Sequence, residues 1–379
     1  MLTASEGPGD LSLLTWTPEE PGPPAAQAAD AYERLLDWLE GHDSVLLLER
    51  VFGDLAAAPC VRRARGGRLA ERAAAAPTYV EGAPVGQGSL AGLHAVAVRP
   101  GAEGRTQTLV FEGEVYGRLV EAEGATFLAL SDVGRIARGR GPLEAPEEAR
   151  ATLLAAEQLL ASFGWSFHDV VRTWFYLRDI LDWYGEFNRV RSSTYCRLGL
   201  LGPPGTECIP ASTGIDGRNA AGGWCALDLL AARPRPGTGF AVRRLHNPRQ
   251  SEATEYGSAF ARGLELVAGE GRYVFVSGTA AIDEDGRSIR EGDFEGQVVA
   301  TLERVAALLG SAGASLDDVR QATAFLKSPG DARAFSRIAE RVGLAAVPAV
   351  TTVADVCRAE LLFELDATAV LPPAGGPRS

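Results

Sequence analysis

Two stretches of the chain carry the same pattern of apolar and polar positions. Residues 151–170 (ATLLAAEQLLASFGWSFHDV) and 300–319 (ATLERVAALLGSAGASLDDV) both space apolar side chains as one helix face, then turn at Gly. Each continues through Ser-x-x-Asp into a strand, VVRTWFYLR in one and VRQATAFLK in the other. Ten of the twenty aligned positions are identical, Leu159/Leu308, Gly164/Gly313 and Asp169/Asp318 among them. A strand reaching Ser precedes each helix (ATFLALSDVG, RYVFVSGTAA), and a second helix follows at 182–199 and 331–343. Each copy then has a Pro-Ala pair and a closing strand, GWCALDLLA or AELLFELDATAV. The pattern predicts an α+β unit, one sheet packed by two helices, duplicated in tandem. The Pro/Arg/Gly stretch 232–237 is the best linker on composition. It divides the chain into 1–235, an amino-terminal extension plus a first unit, and 236–379, a second unit.

Upstream of the repeat the pattern is weaker. The first 28 or so residues, rich in Pro, Gly and Ala, read as a loose arm. A short amphipathic helix is predicted at 30–41 and strands at 44–52, 92–98 and 109–115, with 56–76 as a surface excursion. Gly86-Gln87-Gly88 with Gly92 has some glycine spacing of a dinucleotide fingerprint but lacks the flanking strand and helix, so it reads as a loop.

Composition narrows the function. Net charge is −12, which argues against gripping nucleic acid or anionic lipid, while a local basic pocket for a small anion stays open. With 46% hydrophobic and 23% charged residues the chain is ordinary for a globular protein. No apolar run has membrane-spanning length, and the first residues show neither a basic n-region nor an apolar h-region, so a cytoplasmic location is expected. Five scattered cysteines without a CxxC pair and four dispersed histidines suggest neither a disulfide framework nor a metal site. Lys327 is the only lysine, which argues against Schiff-base chemistry.

A unit with a Ser-Gly-Thr strand end, a helix before SLDDV and a closing LLFELDA strand resembles the RidA (YjgF) fold. The tandem pair with its extension resembles the chorismatase family. HNPRQ (246–250), VSGTAAI (276–282), VRTWFYLRDI (171–180), PASTGI (210–215) and VADVCRAELLFELD (353–366) match that family in order and spacing, over roughly residues 120–370. The resemblance implies cofactor-free cleavage of the enolpyruvyl ether of chorismate, a small-molecule substrate. RidA units form trimers, so a monomer or a homotrimer is expected. One departure separates the chain from imine deaminases of the RidA type. Where those place a carboxylate-binding arginine, this chain reads Pro348-Ala349-Val350-Thr351.

Glu364 lies in an otherwise apolar strand run, either as a surface residue of an amphipathic strand or as a pocket acid with a raised pKa. The resemblance implies the second, with Glu364 as proton donor, and Asp228 stands near the equivalent place in the first copy. Cys357 alone reads as a small buried hydrophobe. The resemblance makes it, with Ala280 (or its neighbour Ala281), a marker of product class: cysteine and alanine for 3-hydroxybenzoate, alanine and glycine for a dihydrodiol. A substrate with two carboxylates needs at least two anchors, for which Tyr256, Arg262 and Arg337 are the candidates in the second copy. Trp174, Trp183 and Trp224 read as packing residues. The competing readings are chorismate hydrolysis to a dihydroxycyclohexadiene carboxylate, a tandem imine deaminase, and a non-catalytic ligand-binding protein.

Overall fold

A computed structural model describes residues 1–5, 9–66, 69, 75–85, 88–203 and 206–372. Residues 86 and 87 of the glycine-rich loop lie outside the described residues. The two halves of the repeat fold alike. The middle unit runs β7 (Thr106–Phe111), β8 (Glu114–Glu121), β9 (Ala125–Leu130), a short α3 (Gly134–Gly139), α4 (Ala145–Ser162), β10 (Val170–Leu177), α5 (Ile180–Arg197), β11 (Ala211–Asp216) and β12 (Cys225–Pro234). The carboxy-terminal unit runs β13 (Phe240–Leu245), β14 (Gly263–Ala268), β15 (Gly271–Ala280), α6 (Phe294–Ser311), β16 (Val319–Leu326), α7 (Ala332–Arg341), β17 (Ala349–Val353) and β18 (Phe363–Leu371). Their sheets have the orders β11-β10-β12-β9-β8-β7 and β17-β16-β18-β15-β14-β13. The predicted Ser-x-x-Asp entries are capping boxes, Ser166/Asp169 and Ser315/Asp318, each closing a 3-10 turn ahead of β10 or β16.

The amino-terminal segment is a third copy rather than an arm. It runs β1 (Leu2–Ser5), β2 (Leu11–Trp16), α1 (Pro24–Gly41), β3 (Val45–Gly53), α2 (Ala58–Gly66), β4 (Thr78–Glu81) and β6 (Leu90–Val98). Its sheet order, β1-β2-β6-β3-β4, repeats β14-β15-β18-β16-β17 position for position. Pairing is antiparallel in each case except for the parallel β3/β4, β10/β11 and β16/β17. Leu11, Leu13, Leu14 and Trp16 are buried, and that burial outweighs the Pro- and Gly-rich surroundings that suggested an arm. The excursion expected at 56–76 is in part α2. The short β5 (Ala83–Pro84) crosses to pair with β17, covering an edge that would otherwise be open.

Helices cover the outer faces: α1 and α2 on the first sheet, α4 and α5 on the second, α6 and α7 on the third. Polar side chains join the sheets where their inner faces meet. Arg50 donates to Gln321 at 3.2 Å, Gln321 to the Leu14 carbonyl at 2.9 Å, and His94 Nε2 lies 3.0 Å from the Ala322 carbonyl. Trp174 packs against the guanidiniums of Arg50 (4.0 Å) and Arg172 (4.6 Å), one from the first unit and one from its own.

Strand register corrects one residue equivalence. Phe325 faces Glu364 and Thr323 faces Asp366, while Tyr176 faces Ala226 and Trp174 faces Asp228. The counterpart of Glu364 is therefore Ala226, and Asp228 corresponds to Asp366. In the first unit the same two places are Gly92, facing Phe52, and His94, facing Arg50.

Candidate active site

A cavity of about 200 Å³ lies between the carboxy-terminal and middle units. Glu364 on β18 forms its floor, opposite Ala280 of β15. A register shift between Val276 and Thr279 carries Gly278 past Glu364, where a Cβ would overlap the carboxyl Oε1. Gly278 thus leaves the space in which the carboxyl lies. Glu364 is 4% exposed. Burial pushes its pKa up to about 8, the nearby Asp366 charge adds to that rise, and Arg172 and Arg262 oppose it. At neutral pH the group is mainly the protonated acid.

Arg262, just ahead of β14, and Arg191, on α5 of the middle unit, both line the cavity and are only 2% and 1% exposed. Arg262 donates from Nε to the Ser251 carbonyl at 2.8 Å, and Arg191 donates from Nη2 to Asn188 Oδ1 at 2.7 Å. Among the described residues Arg262 Nη2 and Arg191 Nε meet no hydrogen-bond partner. The two guanidiniums flank the ring of Phe260 at 5.4 and 5.2 Å. Buried guanidinium donors are costly to leave unmade, and the pair could hold an anionic group in the cavity. Tyr256 closes a 3-10 turn beneath Arg262, 5.3 Å from its guanidinium. Cys357 lines the same cavity, and burial beside Glu364 pushes its thiol up to about 12, so it is present as the neutral thiol.

The structure therefore brings together Glu364, Cys357, Ala280, Tyr256 and Arg262. Ala281 is fully buried and does not line the cavity. Arg337 is a correction: it sits on the outer surface of α7, 66% exposed and paired with Glu295 at 3.1 Å. Arg191 stands on α5, the counterpart of α7 in the middle unit, because the cavity is shared by two units. A sequence signal for it exists. Trp183, Phe187, Val190, Arg191 and Thr194 form the buried stripe of α5, and an arginine in such a stripe marks an unusual environment. Tyr184, Asn188, Ser212 and Gly214 complete the middle unit's contribution.

Among the described residues the two equivalent interfaces lack an acid at the place of Glu364. Between the first and middle units that place is Ala226, and the buried Asp228 nearby accepts from the Thr78 hydroxyl at 2.5 Å, burial pushing its pKa up to about 7. Within the middle unit, Arg138 of α3 contacts Asp132 at 2.6 Å and the Cys225 carbonyl at 3.2 Å, with Glu148 at 3.9 Å. Between the first and last units, Val350 packs against Gly92 where a side chain would stand. Among the described residues no group of three His, Cys, Asp or Glu is placed to hold a metal, and no helix is long and apolar enough to cross a membrane.

Residues 259–371 match the family described as Endoribonuclease L-PSP. A RutC family protein of Pyrococcus abyssi is 39% identical over 61 residues, 16% of this chain. The chain spans about half the length, 48%, of that curated relative. Among solved structures a chorismatase superposes with a TM-score of 0.63 at 19% identity, over 96% of this chain and 100% of that one. A putative endoribonuclease L-PSP from Entamoeba histolytica aligns at 22% identity over 35% of this chain and 100% of its own, with a TM-score of 0.30. The fold is that of the chorismatase, built of RidA-like units, as the sequence resemblance implied.

Proposed function

We propose that this chain, which has the chorismatase fold, cleaves the enolpyruvyl ether of chorismate and releases pyruvate. One observation carries the reading: a buried carboxylic acid, Glu364, faces a cavity in which two buried arginines hold unpartnered N–H groups. Arg262 and Arg191 suit a dicarboxylate, one from each unit. Glu364 delivers its proton to the methylene carbon of the enol ether, making a methyl group and an oxocarbenium ion. The neighbouring ring hydroxyl then attacks the ether-bearing ring carbon. The C–O electron pair becomes the carbonyl of pyruvate, and the hydroxyl proton returns to Glu364. The epoxide-like ring species isomerises to 3-hydroxybenzoate, so the atoms of chorismate equal those of the two products.

The aromatic product rests on Ala280 and Cys357, which both line the cavity. Their methyl and thiol fill space in which an attacking water would otherwise stand, leaving the internal hydroxyl as nucleophile with its large effective molarity. The test is to mix the protein with chorismate, assay pyruvate and identify the ring product by chromatography. Pyruvate with 3-hydroxybenzoate is expected. A dihydrodiol would overturn the product assignment, and ammonia released from a serine-derived enamine, with no pyruvate from chorismate, would overturn the reaction.

A further inference from the structure

Behind Glu364 lies a second carboxylate that the proton transfer does not itself use. Asp366 follows two residues later on β18, so its side chain shares the face of Glu364 about 7 Å along the strand. It is 4% exposed. Its Oδ2 accepts from Thr213 Oγ1 at 2.8 Å and from Arg172 Nη2 at 3.0 Å. Arg172 also donates to Thr213 at 2.6 Å and is 1% exposed, closing a three-membered ring of hydrogen bonds. Both partners belong to the middle unit, Arg172 to β10 and Thr213 to β11. At the neighbouring interface Thr78 and Asp228 repeat the hydroxyl–carboxylate contact, while Leu48 occupies the place of Arg172 in strand register.

We propose that Asp366, clamped by Arg172 and Thr213, is a positioning residue that holds Glu364 as the acid needed for proton delivery. The inference rests on the proposed reaction for its catalytic meaning, though not for its test. A fixed negative charge disfavours a second one on the same face, and the Arg172 clamp sets how much of that charge Glu364 feels. Burial alone would raise Glu364 in any apolar pocket; the clamp ties the protonation of an acid in one unit to contacts with another.

The groups facing Glu364 are Asp366 on its own strand, Arg172 from β10, Arg262 ahead of β14, Cys357 ahead of β18 and Tyr184 from α5. Arg191, Arg358 and Tyr256 line the same cavity. Substituting Asp366 or Arg172 leaves all of these others in place. Asp366→Asn keeps an acceptor for Thr213 and Arg172 while removing the charge, so Glu364 should titrate about one pH unit or more lower. Arg172→Gln should move it the opposite way by a similar amount. The Asp366→Asn/Arg172→Gln double variant removes a neutral pair and should return the midpoint towards that of the parent.

The midpoint is read by ¹³C NMR on ligand-free protein labelled at the glutamate carboxyl carbon, the Glu364 signal being the one lost in Glu364→Gln. Opposite shifts in the two single variants, partly cancelled in the double, are expected. The pH at which pyruvate release falls should follow the same order. An unchanged Glu364 midpoint in folded Asp366→Asn would overturn the proposal, as would shifts of the same sign in both single variants. Opposite shifts in ligand-free protein with no pyruvate from the parent would support the coupling and overturn the chorismate reading alone.

Discussion

At Glu364 burial and the charge of Asp366 act in the same direction, and two arginines act against them. The balance leaves an acid that is protonated at neutral pH and loses its proton as the pH rises through about 8. The proposed chemistry needs the protonated form, so pyruvate release should hold near neutrality and fall on the alkaline side. Glu364→Gln keeps the shape without a transferable proton and should lower turnover by about 10²-fold or more, measured by coupled pyruvate assay. Near-parent turnover in that variant would remove Glu364 from the mechanism. The product pair is a separate matter of space. Ala280→Gly with Cys357→Ala opens room on the side of the cavity facing Glu364, and should shift the product from 3-hydroxybenzoate towards the non-aromatic diol on chromatography. In ¹⁸O water the parent enzyme should leave the aromatic ring unlabelled. An unchanged product ratio at full activity would count against water exclusion.

At the scale of elements, the same strand–helix–strand framework carries different residues at corresponding places. In the middle unit Arg138 on α3 pairs with Asp132 at 2.6 Å, with Glu148 at 3.9 Å. Arg138→Ala leaves those two buried carboxylates without their cation and should cost about 3–5 kcal/mol, seen as a lowered urea midpoint. It should create no second active site, because Ala226 stands in the place of Glu364. These elements differ in how far the sequence discloses them. The repeat is legible because the α4 and α6 stripes and their Ser-x-x-Asp entries are set by local periodicity and capping. Even the register could be read, since Ala226-Leu227-Asp228 aligns with Glu364-Leu365-Asp366 once the strands are superposed. The first copy hides although its pattern predicts strands at β3 and β6, because β1 is only four residues long and β2 lies among Pro- and Gly-rich residues that read as an arm. Glu364 and Cys357 are singled out by the resemblance, since locally Cys357 reads as a small buried hydrophobe and Glu364 fits a surface strand equally; the structure places both on one cavity. Arg191 carries a local signal, an arginine within the buried stripe of α5, but that this stripe borders a cavity shared with another unit is a contact no local spacing encodes.

Taken as a whole molecule, the chain joins in series three units whose sheets meet around shared polar contacts from Arg50, Arg172 and Gln321. Three interfaces of one kind are thereby made by one polypeptide, and each carries its own residues. Glu364, Ala226 and Gly92 occupy corresponding positions, and Asp366, Asp228 and His94 another set. A symmetric trimer of identical chains would carry three equal sites. Here the structure predicts one ligand per chain. Isothermal titration of chorismate into Glu364→Gln, in which turnover is suppressed while Arg262 and Arg191 remain, should give a stoichiometry of one. Arg262→Ala in that background should weaken binding by an order of magnitude or more, because a buried charged hydrogen bond is lost. The cavity lies between the middle and carboxy-terminal units, so saturation should also raise the melting temperature, by mass action on the folded state. A stoichiometry of two or three would show that the open cavity beside Glu364 is not what distinguishes this interface.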